Sequence, residues 1–263
     1  MNFTLSHIPE RTARPRTSGV TMVMDKGLSI RGAEDLISSA DYLVDIVKLG
    51  FGTAYLTKNL KEKIDLYHSA GIKVYLGGTL FEAFLIRGQE EDYFRLMDKL
   101  GLQMAEVSDG SIELPHDRKC ELITRMSKNW TIMSEVGSKE AGIIIHPNKW
   151  KSMMAAELEA GSWKVIAEAR ESGNVGIYRP NGSAHEALVG KILDKVPADS
   201  ILWEAPIKAQ QVWFIELLGP NVNLGNISPT DIIPLETLRL GLRGDTFFNY
   251  LPNGQELKPT VKS

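Results

Sequence analysis

The amino-acid sequence predicts a single α/β domain, a (β/α)8 TIM barrel, on three observations. Short runs rich in β-branched and aromatic residues recur along the 263 residues, and eight of them have the length of a strand. Segments with apolar residues at helical spacing lie between these runs, and no linker rich in Pro, Gly or Ser interrupts the alternation. Eight strand–helix units favour a closed barrel over a doubly wound sheet, for which we expect fewer strands and a nucleotide fingerprint.

The predicted strands are short and apolar, and polar residues follow each of them. In order, they are Val20–Met24, Leu43–Val47, Lys73–Leu76, Met104–Val107, Thr131–Ser134, Lys164–Ala167, Ile201–Trp203 and Asn221–Leu224. Because a helical segment separates each strand from the next, we expect all of the strands to run parallel.

The segments between the strands carry apolar stripes and helix boundary signals. Leu60, Ile64 and Tyr67 share one helical face before Gly71, which is a common residue just past a helix end. Pro115 opens another helical stretch, at a position where its missing N–H is tolerated. These signals predict helices between the strands.

Residues 19–250 are predicted to form the barrel, preceded by an arm over residues 1–18 and followed by a polar tail over residues 251–263. The arm has two prolines and reads as irregular structure. Its arginines are Arg11, Arg14 and Arg16. Arg239, in the last predicted helix, is expected at the opposite end of the barrel from the carboxyl ends of the strands, in a structural or subunit-contact role.

The composition limits the class of protein. The chain is 43% hydrophobic and 24% charged with a formal net charge of −3, which fits an ordinary globular protein and gives no sign of a nucleic-acid partner. No apolar run has the length of a membrane span and the N-terminus resembles no secretory signal, so we expect a cytoplasmic protein without a membrane partner. The single cysteine, Cys120, excludes a disulfide within the chain.

Carboxylates close four consecutive predicted strands, at Glu106, Glu135, Glu168 and Glu204. The carboxyl ends of barrel strands form one rim, where catalytic groups lie, so these side chains are expected to be neighbours. Clustered carboxylates need a cation or a proton between them. With Asp109, the first three predict an all-oxygen site for Mg²⁺ or Mn²⁺. The alternative is that each glutamate simply pairs with a neighbouring lysine or arginine.

Cationic side chains are predicted on the same rim, at Lys26, Lys48, Lys139 and Arg170. They suit an anionic substrate, and a lysine is able to transfer a proton. None of the five histidines follows a predicted strand, which disfavours a zinc hydrolase. Carboxylates combined with lysines indicate enolate chemistry, in which a metal steadies an enediolate.

Backbone N–H groups after the strands are candidates for holding a phosphate, although ordinary turns explain each of them equally well. The substrate-binding candidates are Gly78, Thr79, Ser172, Gly173, Asn223 and Asn226. Gly50 and Gly52 begin like a dinucleotide fingerprint, but Tyr55 stands where the third glycine is required, so a nucleotide cofactor is not expected.

The rim motifs are TMVMDKG, VKLGFGT, KVYLGGTLFE, EVSDG, SEVGSK, EARESG, WEAP, NLGNI and ETLRLGLRGDT. Taken in order, they resemble the phosphosulfolactate synthase family of coenzyme M biosynthesis, which includes bacterial and plant heat-stress-associated relatives. The resemblance extends roughly over Gly19 to Phe248.

The resemblance implies a Mg²⁺-dependent carbon–sulfur lyase on a barrel that forms homo-oligomers. This enzyme would add sulfite to phosphoenolpyruvate through a metal-stabilised enediolate, giving 2-phospho-3-sulfolactate. It implies that Lys139 is the general acid, because SEVGSK retains the second lysine of the family's string, whereas Ser138 replaces the first. Lys26 and Lys48 are the other catalytic candidates, and with Arg170 they would hold the substrate's anionic groups.

Two alternatives remain beside this activity. One is a relative that acts on another phosphorylated enol or hydroxy acid, since a shared fold does not fix the substrate. The other is a non-catalytic, stress-associated barrel, whose signature would be the loss of rim carboxylates.

Overall fold

The computed structural model describes residues 2–137, 146–169 and 172–252, and it confirms the predicted barrel. The strands are β1 Thr21–Asp25, β2 Ile46–Leu49, β3 Lys73–Leu76, β4 Met104–Val107, β5 Thr131–Val136, β6 Ser162–Ala167, β7 Ile201–Glu204 and β8 Leu224–Ile227. The helices within those ranges are α1 Ile30–Ala40, α2 Leu60–Ser69, α3 Gly78–Leu85, α4 Glu90–Leu100, α5 His116–Met126, α6 Pro147–Glu159, α7 Glu186–Leu193, α8 Lys208–Leu218 and α9 Ile232–Arg239. None of these helices is both long and apolar enough to cross a bilayer.

The strands are parallel and follow one another in the order β3-β2-β1-β8-β7-β6-β5-β4. No backbone ladder joins β3 to β4, two strands that lie wholly within the described residues, and we call this opening the β3–β4 seam. Other hydrogen bonds cross it. Gly78 N–H donates to Glu106 Oε1 at 2.6 Å, and Glu82 on α3 accepts from the N–H groups of Gly110 and Ser111.

The predicted second strand was placed too early along the chain. It was expected at Leu43–Val47, whereas β2 begins at Ile46. The apolar run misled the prediction, because Leu43 is buried in a 3₁₀ turn at Asp41–Leu43 rather than in the sheet.

The predicted eighth strand, Asn221–Leu224, was also wrong, because β8 begins only at Leu224. Gly225 and Asn226 read as a turn but lie within the strand. A glycine is required at position 225, since a Cβ atom there would lie 2.8 Å from side-chain atoms of both Leu202 and Met22. Glycine is also a common turn residue, so a strand that needs glycine for close packing is easily mistaken for a turn in the sequence.

Side chains alternate between the two sides of each strand, and this alternation builds the site. The inward-facing apolar layer consists of Val20, Met22, Ile46, Tyr75, Met104, Met133, Ile166 and Leu202. Two residues further along β2, β4, β5 and β7, and at the residue that directly follows β6, the same side of the chain becomes charged. Those positions carry Lys48, Glu106, Glu135, Glu168 and Glu204.

The arm is attached to the amino-terminal end of the barrel by its arginines. Arg11 Nε pairs with Glu236 on α9 at 2.8 Å, and Arg14 donates to the carbonyl of Asp41 at 2.6 Å. Arg239 is fully buried at the same end and donates to two backbone carbonyls. Its position opposite the rim and its structural contacts agree with the prediction.

Candidate active site

Lys48 lies at the centre of a group of carboxylates at the mouth of the barrel. Its ammonium nitrogen is 2.8 Å from Glu106 Oε2, 3.3 Å from Glu135 Oε2 and 3.6 Å from Glu204 Oε1. The carboxylates come from β4, β5 and β7, and all four side chains are buried. We call these residues the Lys48 cluster. A lysine therefore provides the cation that clustered carboxylates need between them.

Charge in the Lys48 cluster is unbalanced, because three carboxylates surround one ammonium group. Burial alone would lower the pKa of Lys48, but Glu106 and Glu135 outweigh burial and raise that pKa well above its usual value. Burial raises the pKa of Glu204 to about 8, although Lys48 opposes the shift. Near neutral pH, the cluster therefore contains a charged lysine and a protonated carboxyl group.

Backbone N–H groups fix the orientation of two of these carboxyl groups. Gly78 N–H donates to Glu106, and Ala169 N–H donates to Glu204 Oε2 at 2.8 Å. The position of Gly78 requires glycine, because a Cβ atom there would lie 2.5 Å from Glu106 Oε1 and closer still to Ser108 Oγ. The carboxyl groups are thus held by the ends of α3 and β6 and do not depend on Lys48 alone.

The predicted metal ligands are not gathered at one point. Asp109 lies outside the Lys48 cluster and pairs with Lys119 at 3.0 Å. Glu168 packs against Gly137, where a Cβ atom would lie 2.6 Å from Glu168 Oε2. Within the part of the chain that is described, no group of three His, Cys, Asp or Glu side chains is arranged to hold a metal ion. The oxygen donors match Mg²⁺ in kind, but they do not form a complete site by themselves.

A second buried lysine beside the site was not predicted from the sequence. Lys119 on α5 is fully buried, and its ammonium group contacts Asp109, Glu157 Oε1 at 2.9 Å and the backbone carbonyl of Glu135 at 2.6 Å. We call Lys119, Asp109 and Glu157 the Lys119 cluster. A signal was present, because Lys119 stands three residues before Leu122 on the apolar stripe of its helix.

A third buried lysine supports the loop that carries Lys26. Lys63 on α2 pairs with the buried Asp25 at 2.8 Å, and Asp25 Oδ1 accepts from two backbone N–H groups that follow Lys26. Lys26 itself is exposed, with its ammonium group 5.8 Å from the centre of the Phe51 ring. The structure thus places Lys26 at the rim but not within the Lys48 cluster.

Two of the predicted phosphate-binding residues lie at the β3–β4 seam, at the start of α3. The N–H group of Gly78 is already bonded to Glu106, and Thr79 is exposed in the first turn of the helix.

Asn223 was predicted at the rim, and the structure corrects this position. Its side chain bonds Val20 N–H and the carbonyl of Ile201 at the amino-terminal end of the barrel, because β8 starts later than predicted.

The remaining phosphate-binding candidates follow β6 and lie within β8. Gly173 has a positive φ of 64° and accepts a hydrogen bond from Gln210 at 2.7 Å, while Ser172 is exposed. Asn226 is buried with a φ of 57°, a backbone conformation uncommon outside glycine. Lys139 and Arg170 lie outside the described residues.

The fold and the charged mouth together define a class of protein. It is a (β/α)8 barrel whose candidate active site lies at the carboxyl ends of the strands, where barrel enzymes carry their catalytic groups. A solved structure of 3-hexulose-6-phosphate synthase matches this chain with a TM-score of 0.52 and 16% identity, covering 83% of this chain and 99% of that one. At this identity the match shows the fold alone.

The particular family follows from sequence comparison. The family model for (2R)-phospho-3-sulfolactate synthase (ComA) matches residues 9–245, and the chain belongs to this family. The phosphosulfolactate synthase of Methanothermobacter thermautotrophicus is 43% identical over 244 residues, covering 90% of this chain and 95% of that protein. The phosphosulfolactate synthase of Bacillus subtilis is 38% identical over 251 residues, covering 94% and 100%. The predicted family resemblance is therefore confirmed.

Proposed function

We propose that this protein adds sulfite to phosphoenolpyruvate to give 2-phospho-3-sulfolactate. Family membership supports this reaction. The observation that carries the proposal is the Lys48 cluster, in which a buried ammonium group lies within 3.6 Å of three carboxyl groups at the barrel mouth. The proposed substrates are small anions. Because carboxyl groups outnumber the ammonium group in this cluster, binding these anions needs further positive charge, which Mg²⁺ and the other rim cations are proposed to supply.

The reaction needs two things from the protein, charge stabilisation and a proton. The sulfur lone pair of sulfite attacks the methylene carbon of phosphoenolpyruvate, and the electrons of the double bond move towards the carboxylate as an enediolate. C2 must then receive a proton. The raised pKa of Lys48 keeps this side chain charged, so it is suited to stabilising the enediolate rather than to giving up its proton.

Lys139 is the proposed proton donor, on the resemblance of its motif to the family pattern. It follows Glu135 by four residues, so its segment starts at the strand end that contributes to the Lys48 cluster. Arg170, which follows β6, and Lys26 are proposed to hold the phosphate and carboxylate groups of the substrate. Because Lys139 and Arg170 lie outside the described residues, both roles remain predictions.

Mg²⁺ remains part of the proposal. The donors that the rim offers are the carboxylates of Glu135 on β5 and of Glu168, which directly follows the adjacent strand β6. Mg²⁺ commonly completes its coordination with water and substrate oxygens. When bound, the ion would neutralise developing negative charge on the substrate. The expected homo-oligomer and cytoplasmic location rest on the family resemblance and the sequence, and they too remain predictions.

The test is an assay of purified protein with sulfite and phosphoenolpyruvate, with product identified by ³¹P NMR, in Mg²⁺ and in excess EDTA. We expect product only with sulfite, and faster with Mg²⁺. Lys139→Ala should lower kcat by about 10²-fold or more, as the loss of a general acid typically does. The matched control is Lys149→Ala, at an exposed position on α6.

Two results would contradict the proposal. Turnover of phosphoenolpyruvate that does not require sulfite would favour a relative with another substrate. Absence of turnover with any phosphorylated enol, in protein shown to be folded, would favour the non-catalytic barrel, even though the four rim glutamates are present.

A further inference from the structure

A cavity lies under the arm at the amino-terminal end of the barrel, opposite the Lys48 cluster. Its volume is about 280 Å³. Its lining includes Arg14, Arg16, Asp45, Ile46, Lys73 and Trp163. Ile46 and Lys73 are the first residues of β2 and β3, which places the cavity at the opposite end of those strands from the rim. The proposed reaction makes no use of it.

Positive charge exceeds negative charge in this cavity. Arg14, Arg16 and Lys73 line it together with one carboxylate, Asp45. Asp45 pairs with Arg16 Nε at 3.1 Å and accepts from a backbone N–H group at 2.8 Å, so its charge offsets that of Arg16. Arg14 donates to three backbone carbonyls, which are neutral acceptors and leave its charge uncompensated.

Lys73 is the cation best placed to bind a ligand. Within the described ranges its ammonium group makes neither a hydrogen bond nor an ion pair, and it lies 5.4 Å from the centre of the Trp163 ring. Lys164 lies over the same ring at 4.6 Å, and its ammonium group donates to two backbone carbonyls. Burial lowers the pKa of Lys164 to about 8, with Asp199 opposing the shift, so Lys73 is the lysine that contributes the excess of positive charge beside this indole.

The geometry points to a second anion site in this cavity, for a small molecule with one or two phosphate groups. An anion held by Lys73 and Arg14 would compensate the two cationic charges that Asp45 leaves over, and guanidinium groups suit phosphate oxygens. The cavity volume is close to that of the smallest pockets that bind small molecules, about 300 Å³. It is larger than the volume that a single inorganic ion would fill. Trp163 supplies an apolar wall.

The site would join the arm to the barrel. Arg14 and Arg16 belong to the arm, whereas Lys73 belongs to β3, so one anion between them would connect segments far apart in sequence. A ligand that binds only the folded protein raises its stability in proportion to occupancy. We therefore assign the site to stabilisation of the arm rather than to the reaction at the rim.

The experiment is calorimetric titration with inorganic pyrophosphate at constant ionic strength, on the wild type, Lys73→Met and Lys99→Met. Lys99 is the matched control, because it is exposed on α4 and makes no described ion pair. We expect Lys73→Met to bind one pyrophosphate fewer per chain than the wild type, or to bind it at least tenfold more weakly. Lys99→Met should bind as the wild type does.

The rim is itself expected to bind phosphate, so the readout must identify the cavity. Pyrophosphate should change the tryptophan emission of the wild type, and Trp163→Phe should lose that change while keeping wild-type activity. Lys73→Gln serves as a second variant if Lys73→Met does not fold. Equal affinity and stoichiometry for Lys73→Met and Lys99→Met, or an emission change that survives in Trp163→Phe, would overturn the proposal.

Discussion

Lys48 and Lys119 are both buried lysines facing carboxylates, and they differ in charge balance and in location. The ammonium group of Lys119 has three partners, two carboxylates and one carbonyl, which match its three donors. Lys48 has three carboxyl groups at 2.8 to 3.6 Å, and it lies at the mouth of the barrel rather than between a helix and the sheet.

From this difference we predict that Lys119 is a structural lysine and that Lys48 is a functional one. The Lys119 cluster fixes the end of β5 to α5 and α6, and its donors are fully used. The Lys48 cluster has three carboxyl groups for one ammonium group, against two in the Lys119 cluster, and burial raises the pKa of Glu204 to about 8. We therefore expect the protonation of the Lys48 cluster to depend on what binds there. Structural ion-pair networks also shift pKa values, so the prediction rests on the position of Lys48 at the barrel mouth and on the number of its carboxyl partners.

Replacement of Lys48 by Met should have the largest effect on activity. We expect kcat/KM for sulfite addition to fall by about 10²- to 10⁴-fold, because the site loses the charge that would stabilise the enediolate. Steady-state kinetics with circular dichroism as a check on folding would measure this. Activity within threefold of the wild type would make Lys48 a structural lysine like Lys119 and remove the distinction.

Replacement of Lys119 by Met should mainly affect stability. We expect the free energy of unfolding to fall by about 3–5 kcal/mol, because the fully buried Glu157 would lose its lysine partner and the partly buried Asp109 would lose its own. Urea unfolding would measure the change. Lys128→Met, an exposed position just after the same helix, should stay within about 0.5 kcal/mol of the wild type. If both variants are equally stable, the Lys119 cluster does not hold the strand end.

A smaller effect is expected in the pH dependence of stability. The pKa of Glu204 is about 8 in the folded protein and 4.5 without the shift, so the folded state keeps a proton that the unfolded chain has lost between these values. The stability from this proton is present below pH 4.5 and is lost as the pH rises through 8. Its slope is at most about 1.4 kcal/mol per pH unit.

The measurement is urea unfolding in metal-free buffer between pH 5 and 8. The wild type should lose stability with rising pH relative to Glu204→Gln, whose amide does not titrate. Glu216→Gln, at an exposed position on α8, is the control and should follow the wild type. Parallel curves for the wild type and Glu204→Gln would show that Glu204 is ionised throughout, and the Lys48 cluster would then lack its proton.

The positions of the rim carboxylates were predictable because two simple periodicities fix them. Strands alternate with period two, and a barrel gathers the carboxyl ends of its strands. Glu106, Glu135 and Glu204 therefore had to be neighbours once their strands were recognised. The ion-pair partner of each carboxylate could not be predicted from the sequence. The 2.8 Å contact of Lys48 with Glu106, for example, joins two strands that are not adjacent in the barrel.

Other errors concern residues that the folded structure places where their type is uncommon, such as glycine within a strand or lysine in the interior. Gly225 and Asn226 read as a turn, although tight packing inside the barrel requires the glycine, and Asn223 was consequently placed at the wrong end. Lys63 and Lys119 were not singled out from the sequence, because a buried lysine depends on carboxylates from distant segments. Such partners become visible only after the chain is folded.

The β3–β4 seam has a consequence for how the barrel moves. Where other neighbouring strands share a ladder, this pair is bridged at Gly78 by the carboxylate of Glu106, a side chain that also contacts Lys48. Native-state hydrogen exchange should therefore find the amides of β3 and β4 opening before those of β1. A ligand that moves Glu106 should therefore change the hydrogen-exchange rates of amides along the whole length of β3 and β4, including amides that the ligand does not contact.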